Sequence, residues 1–224
     1  MILAALLATA FATGGALYQN ECASCHGAAL QGSTQAPALL GVGAEAVDFM
    51  LRTGRMPAAT TGWQDVRHPP VLDAREIDAL VAYVVGRSHG SPKLPRVRSG
   101  DAFHGRAVFA ENCAACHGVT GSGGSVGNAN VAPALDKATP VEVAEAVRIG
   151  PDVMPRFNRD VLSDRDVDDI VAYLALFRNS QLDPGGIAME NLGPVAEGFV
   201  AWAVGIGLLL LCIRWIATIQ NDAR

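Results

Sequence analysis

Two short stretches, Cys22-Ala23-Ser24-Cys25-His26 and Cys113-Ala114-Ala115-Cys116-His117, constrain this chain more than anything else in it. Each holds two thiols three residues apart and an imidazole directly after the second. On a helix, residues three apart share a face. Two thioether bonds from that face fix one edge of a porphyrin, and the adjacent histidine is carried to its iron. The pattern predicts covalent haem on Cys22 and Cys25 and again on Cys113 and Cys116, with His26 and His117 as axial iron ligands. A bare C-x-x-C also suits a redox dithiol or half of a zinc site, but a redox dithiol needs no adjacent histidine. The fifth cysteine, Cys212, lies in an apolar run, which leaves no disulfide framework to build.

The motifs head two copies of one sequence. A shift of 91 residues lays Gly15 to Cys22 on Arg106 to Cys113, with Tyr18 on Phe109. Ala36-Pro37-Ala38-Leu39 recurs as Ala132-Pro133-Ala134-Leu135, and Arg55-Met56-Pro57 as Val153-Met154-Pro155. A shift of 90 overlays Ile77, Leu80 and Tyr83 on Val167, Ile170 and Tyr173. Signals repeated in one order mark a duplicated domain, and the same order argues against pooling the two cysteine pairs in one metal site. Asp73 with Glu76, and Ser163 with Asp166, stand as helix caps ahead of apolar positions at i, i+3, i+4 and i+7. Thr139-Pro140-Val141-Glu142 predicts another helix start, and Glu45 to Thr53 a further helix. Ser88 to Asp101, with Gly90, Pro92, Pro95 and Gly100, reads as a linker whose Lys93, Arg96 and Arg98 face solvent. Gly118 to Asn130 is glycine-rich without a Lys-Ser/Thr ending, and reads as a flexible surface loop rather than a phosphate cradle.

The second axial ligand has to come from elsewhere. Of five methionines, Met1 is the start, Met50 sits in the helix predicted at 45–53, and Met189 lies just ahead of the last apolar run. Met56 and Met154 share a Met-Pro context and equivalent places in the repeat, so they are the candidate ligands opposite His26 and His117. A thioether opposite histidine gives an electron-transferring iron of raised potential. His68, His89 and His104 have no counterparts and read as loop or surface residues, with His68 the competitor to Met56. Pro37 and Pro133 either fix a loop that offers a backbone carbonyl to the proximal histidine or serve ordinary turn chemistry. With both iron positions filled, outer-sphere electron transfer is the expected chemistry. No catalytic triad, phosphate loop or carboxylate pair suggests a substrate site.

The ends of the chain place it. Ile2 to Ala12 resembles the core of a signal sequence, and the missing Lys or Arg before it suggests a shortened start. Phe199 to Ile219 is long enough to span a membrane, broken only by Arg214, with Trp202 and Trp215 near its ends. Glu190 and Glu197 precede the span, while Arg214 and Arg224 lie at its end, so the C-terminus is expected in the cytoplasm and the haem domains outside. The net charge of −5 is mild and no basic tract points to nucleic acid. The expected organisation is a signal-like or anchor segment at 1–12, a first domain at 13–88, a linker at 89–101, a second domain at 102–182, a connector at 183–198, a transmembrane helix at 199–219 and a tail at 220–224.

Taken with the anchor, Cys-His-Gly-Ala-Ala-Leu-Gln-Gly (25–32), Thr-Gly-Arg-Met-Pro (53–57) and Gly-Pro-Val-Ala-Glu-Gly-Phe (193–199) resemble one family closely. It is the dihaem cytochrome c subunit of the actinobacterial-type cytochrome bc complex, a menaquinol–cytochrome c reductase. The resemblance implies an all-α chain of two tandem class I cytochrome c domains with a C-terminal transmembrane helix and two covalent haem c groups. It implies electrons passed from the Rieske iron–sulfur subunit through both haems to a terminal cytochrome c oxidase, with a cytochrome b subunit alongside. Such a chain is part of a translocase-type oxidoreductase in the cell membrane and has no substrate site of its own. Other readings are a stand-alone anchored carrier, the cytochrome subunit of a dehydrogenase or another oxidase, and a haem peroxidase.

Overall fold

The computed structural model describes residues 13–58, 66–178 and 194–222. The signal-like segment at 1–12, most of the connector and the last two residues lie outside the described residues. Helices dominate, in chain order α1 (13–21), α2 (Ala23–His26), α3 (Ala44–Arg52), α4 (Ala74–Ser88), α5 (Ala102–Asn112), α6 (Ala114–His117), α7 (Pro140–Ile149), α8 (Asp164–Arg178) and α9 (Pro194–Asp222). The predicted caps form. Asp73 and Glu76 close a reciprocal capping box on α4, and Thr139 and Glu142 do so on α7 with Pro140 in the first turn. Ser163 and Asp166 exchange the same pair of bonds at the head of α8. Each box satisfies amides that the first helical turn would otherwise leave without partners.

Two separate cores result. One gathers Tyr18, Leu30, Leu51, Ile77, Leu80, Tyr83 and Val84, and the other Phe109, Val143, Val147, Val167, Ile170, Tyr173 and Leu174. The equivalences of the repeat are therefore equivalences of packing. In each copy the helix before the haem motif crosses the long C-terminal helix so closely that only glycine fits. A Cβ on Gly14 would stand 2.0 Å from the Ala79 carbonyl oxygen, and one on Gly105 only 1.9 Å from that of Asp169. Aromatic pairs seal both crossings, Tyr18 on Tyr83 and Phe109 on Tyr173, each with ring centroids 5.6 Å apart.

The two domains meet through equivalent helices, α3 of the first against α7 of the second. The linker between them is exposed at Lys93, Arg96 and Arg98 yet anchored by its backbone: the amides of Arg98 and Asp101 donate to the Asp168 and Asp169 carboxylates at 2.9 and 2.6 Å. One expectation is corrected. The loop read at Gly118 to Asn130 contains an antiparallel hairpin, β1 (Gly124–Gly127) with β2 (Asn130–Ala132), turning through Asn128 and Ala129 at φ of 49° and 62°. Glycines hide strand propensity, and the partner strand lies beyond the segment whose composition looks loop-like.

The C-terminal helix forms a unit by itself. Its segment Gly198–Ile219, 22 residues with mean hydropathy 2.2, is long and apolar enough to cross a membrane. At 1.5 Å per residue it measures about 33 Å, close to the thickness of a hydrocarbon core.

We expect Gly105→Val to destabilise the second domain by about 1–3 kcal/mol or more, because the added methyls must push α5 off the α8 backbone. Denaturant unfolding followed by near-ultraviolet circular dichroism measures this, and Gly14→Val gives the matching loss in the first domain.

Candidate functional site

Both motifs fold as the same broken helix. Cys22 and Cys113 hold φ, ψ of −121°, −34° and −123°, −36°, which ends one helix and caps the next. The histidine amides return to the first cysteine's carbonyl at 2.9 Å in both copies. Gly27 and Gly118 follow at φ of 79° and 72°, each donating its amide to the residue after the first cysteine. This restart places both thiols and the imidazole of a copy on one short turn.

The imidazoles are oriented by backbone. His26 Nδ1 donates to the Pro37 carbonyl at 2.8 Å, and His117 Nδ1 donates to the Pro133 carbonyl at 3.0 Å. A carbonyl only accepts, so Nδ1 bears the hydrogen and Nε2 keeps its lone pair for a metal. Of the two readings of Pro37 and Pro133, the structure displays the carbonyl contact, with the prolines themselves supplying the oxygen. Burial pushes His117 below its ordinary value against the opposing effect of the Pro133 bond, which keeps the ring neutral and ligand-competent. Tight turns also tie down each histidine's own backbone: Gly32 and Gly123 donate to the His26 and His117 carbonyls at 2.8 and 2.7 Å.

Cys22 and Met56 both pack on the first core, and Cys113 and Met154 on the second. Each half-buried methionine sits in a loop tied back to the preceding helix or turn, Met56 through its amide to the Met50 carbonyl and Met154 to that of Pro151. His68 is exposed, His89 is the left-handed cap of α4, and His104 Nδ1 lies 2.9 Å from the buried Asp169 carboxylate. The copies differ beside the methionines. Arg55 is buried with its guanidinium 4.8 Å from the Phe49 ring centroid, whereas its counterpart Val153 is exposed.

The thiols themselves argue against dithiol chemistry. Burial pushes Cys22 and Cys113 up to about 11, whereas a redox-active C-x-x-C depresses its first thiol. The two pairs also belong to different cores, and among the described residues no group of three or more His, Cys, Asp or Glu is placed to hold a metal ion by itself. A thioether-bound macrocycle suits this donor set: two thiols and an Nε2 lone pair from one turn, and a soft thioether sulfur from a loop on the same core.

Two supporting groups had no clear sequence signal. The Tyr18 phenol, fully buried, donates to the Gly27 carbonyl at 2.8 Å, and the Tyr173 phenol donates to the Val119 carbonyl at 2.7 Å. The two tyrosines sit at different repeat positions yet brace the same stretch after the histidine. Only the Tyr18/Phe109 mismatch, beside the Tyr83/Tyr173 match, hinted that the two copies use different phenols.

Comparison with known proteins agrees with this geometry. Residues 11–88 match the family "Cytochrome c", and residues 100–174 match "Cytochrome C oxidase, cbb3-type, subunit III". The chain is 37% identical over 214 residues to a cytochrome bc1 complex cytochrome c subunit of Mycobacterium tuberculosis, covering 91% of this chain and 76% of that one. It is 35% identical over 224 residues to the corresponding subunit of Corynebacterium diphtheriae, covering 92% and 79%. A cbb3-type cytochrome c oxidase subunit of Cereibacter sphaeroides is 29% identical over 192 residues, covering 75% and 61%.

Tyr18→Phe removes the donor to the half-buried Gly27 carbonyl and is expected to cost about 0.5–1.5 kcal/mol of stability. A lowered denaturant midpoint with unchanged cysteine modification by haem is the outcome to look for.

Proposed function

The chain belongs to the family of cytochrome c subunits of the cytochrome bc1 complex, and on that premise we propose that it carries two haem c groups and relays electrons from the Rieske iron–sulfur subunit to a terminal cytochrome c oxidase. The observation that carries this reading is the matched pair of imidazoles, each with Nδ1 bound to a proline carbonyl and Nε2 left for iron, in two packed copies of one domain. The proposed domain limits are 13–88 and 102–182, joined by 89–101.

Cys22 with Cys25, and Cys113 with Cys116, would hold the two groups as thioethers, with His26 and Met56 or His117 and Met154 as axial ligands. When bound, each haem supplies one-electron chemistry at its iron. The chain's own contribution is positional. The Pro37 and Pro133 carbonyls fix ring orientation and raise imidazole basicity, the loops tied at Met56 and Met154 hold the sulfurs, and the two cores exclude water. The contact of α3 with α7 keeps the two copies adjacent, which suits a two-step relay in place of a soluble carrier.

We further propose that α9 anchors the chain in the cell membrane with the haem domains outside, supported by Arg214 near the helix end and Glu197 near its start. A cytochrome b subunit would then be its neighbour in the bilayer. A second reading, an oxidase subunit, is favoured by the match of residues 100–174 to the cbb3-type family.

Purification in mild detergent separates the two. Cytochrome b and an iron–sulfur subunit co-purifying with the chain are expected, and their absence beside an intact oxidase would overturn the first reading. Met56→Ala and Met154→Ala are each expected to leave haem attachment intact, lower the potential of one haem and open it to carbon monoxide. Unchanged spectra in either variant would refute that methionine as a ligand.

A further inference from the structure

The contact between the two domains contains a carboxyl group with no partner of opposite kind. Glu145, on α7, is wholly buried, and neither of its carboxyl oxygens finds a donor among the described residues. What faces it is Asp48 on α3, 2% exposed, whose two oxygens already accept from Arg52 Nε at 2.9 Å. Two carboxylates in contact hold four acceptors and no donor. A hydrogen bond between them exists only when one keeps a proton.

We propose that Glu145 and Asp48 form a proton-sharing latch that joins the first domain to the second, and that loss of the shared proton releases α7 from α3.

The groups around the pair assign the proton. Arg52 lies against Asp48 and reaches on to Asp78 of α4 at 2.5 Å, so Asp48 is the member held by a cation and Glu145 is the one left to carry the shared proton. On α7 itself Glu142 is taken up by its capping box and by Arg67 of the first domain, at 2.9 and 3.1 Å. Arg148 of the same helix is turned to Asp164 of α8 and to the Phe157 and Leu162 carbonyls. No cation on any of these elements bonds Glu145. Its carboxyl is pushed up to about 9, first by burial, then by Asp48 and Glu142, with only Arg52 opposing.

The direction follows from linkage. The latched state binds a proton that the separated state gives up once pH exceeds the ordinary glutamate value of 4.5. Latching is therefore fully favoured below that value. It weakens by up to tenfold in equilibrium constant per pH unit as pH rises, and the proton is lost from the latched state itself near about 9. The Arg67–Glu142 pair is a second polar contact between the first domain and α7. Because α3 and α7 lead directly into the loops of Met56 and Met154, separation would change how those two loops face each other.

Infrared difference spectra and hydrogen exchange of the full haem-loaded chain in detergent test this, using the pH titration of the unmodified protein together with Glu145→Gln and Asp48→Asn. The unmodified chain should show a protonated-carboxyl band at neutral pH that fades near about 9. Exchange of the 44–52 and 140–149 amides, corrected for intrinsic rates, should rise as pH climbs from about 4.5 towards 9 and level off once the band has faded. Glu145→Gln, whose amide donates without charge, should lack the band and hold both exchange rates flat with pH. Asp48→Asn should keep latching with a lower transition. Spectra identical in the unmodified chain and Glu145→Gln would overturn the proposal. So would exchange at both helices that ignores the titration. Neither readout depends on electron-transfer partners, so the latch can fail while the relay stands.

Discussion

Each domain is organised around an imidazole whose Nδ1 hydrogen is taken by a proline carbonyl. That one bond, at 2.8 Å for His26 and 3.0 Å for His117, sets the tautomer, aims Nε2 and decides which side of the turn faces the core. The surrounding structure serves to hold it. The helix break at the first cysteine brings thiols and ring onto one turn, a positive-φ glycine reverses the chain behind the ring, and a buried phenol braces the reversal. The glycine crossings at Gly14 and Gly105 let the helices that deliver this turn lie directly on α4 and α8. A wider crossing would move the turn relative to the core on which it packs.

Duplication gave two copies of this plan, and their differences fall outside it. The first copy buries Arg55 beside its methionine where the second exposes Val153, and the second inserts a hairpin after its histidine. Both differences adjoin the residues proposed to hold haem, Met56 in the first copy and His117 in the second, where charge and burial tune a potential. Two domains with one ligand plan and different surroundings suit a relay whose two stations differ in potential.

The surface that joins the copies is built on a different principle from their cores. Helices α3 and α7 turn their apolar residues Leu51 and Val143 inward, and present Asp48, Arg52, Glu142 and Glu145 to each other. Burying these charges is unfavourable unless each is paired or neutralised. Arg52 and Arg67 pair Asp48 and Glu142, and the remaining carboxyl keeps its proton. Specificity of the contact comes from this charge pattern, since apolar faces would dock in many registers.

Much of this was legible in the residues. Spacing alone predicted that each Cys-x-x-Cys-His stretch forms one helical turn, because three-residue separation on a helix is a local fact. The repeat predicted paired methionines and paired cores, and the caps at Asp73, Thr139 and Ser163 depend only on neighbours within one turn. The hairpin at 124–132 was not legible, since strand pairing joins residues that composition treats as loop. Nor were the Tyr18 and Tyr173 bonds, whose acceptors lie 9 and 54 residues away. The sequence by itself determined the Cys-x-x-Cys-His turns, the duplication and the apolar C-terminal helix, all of which follow from patterns readable along the chain. Only the tertiary structure decided that Pro37 and Pro133 supply the carbonyls, and that Glu145 meets Asp48. Those are contacts between distant segments, and their energies depend on burial that no local pattern records.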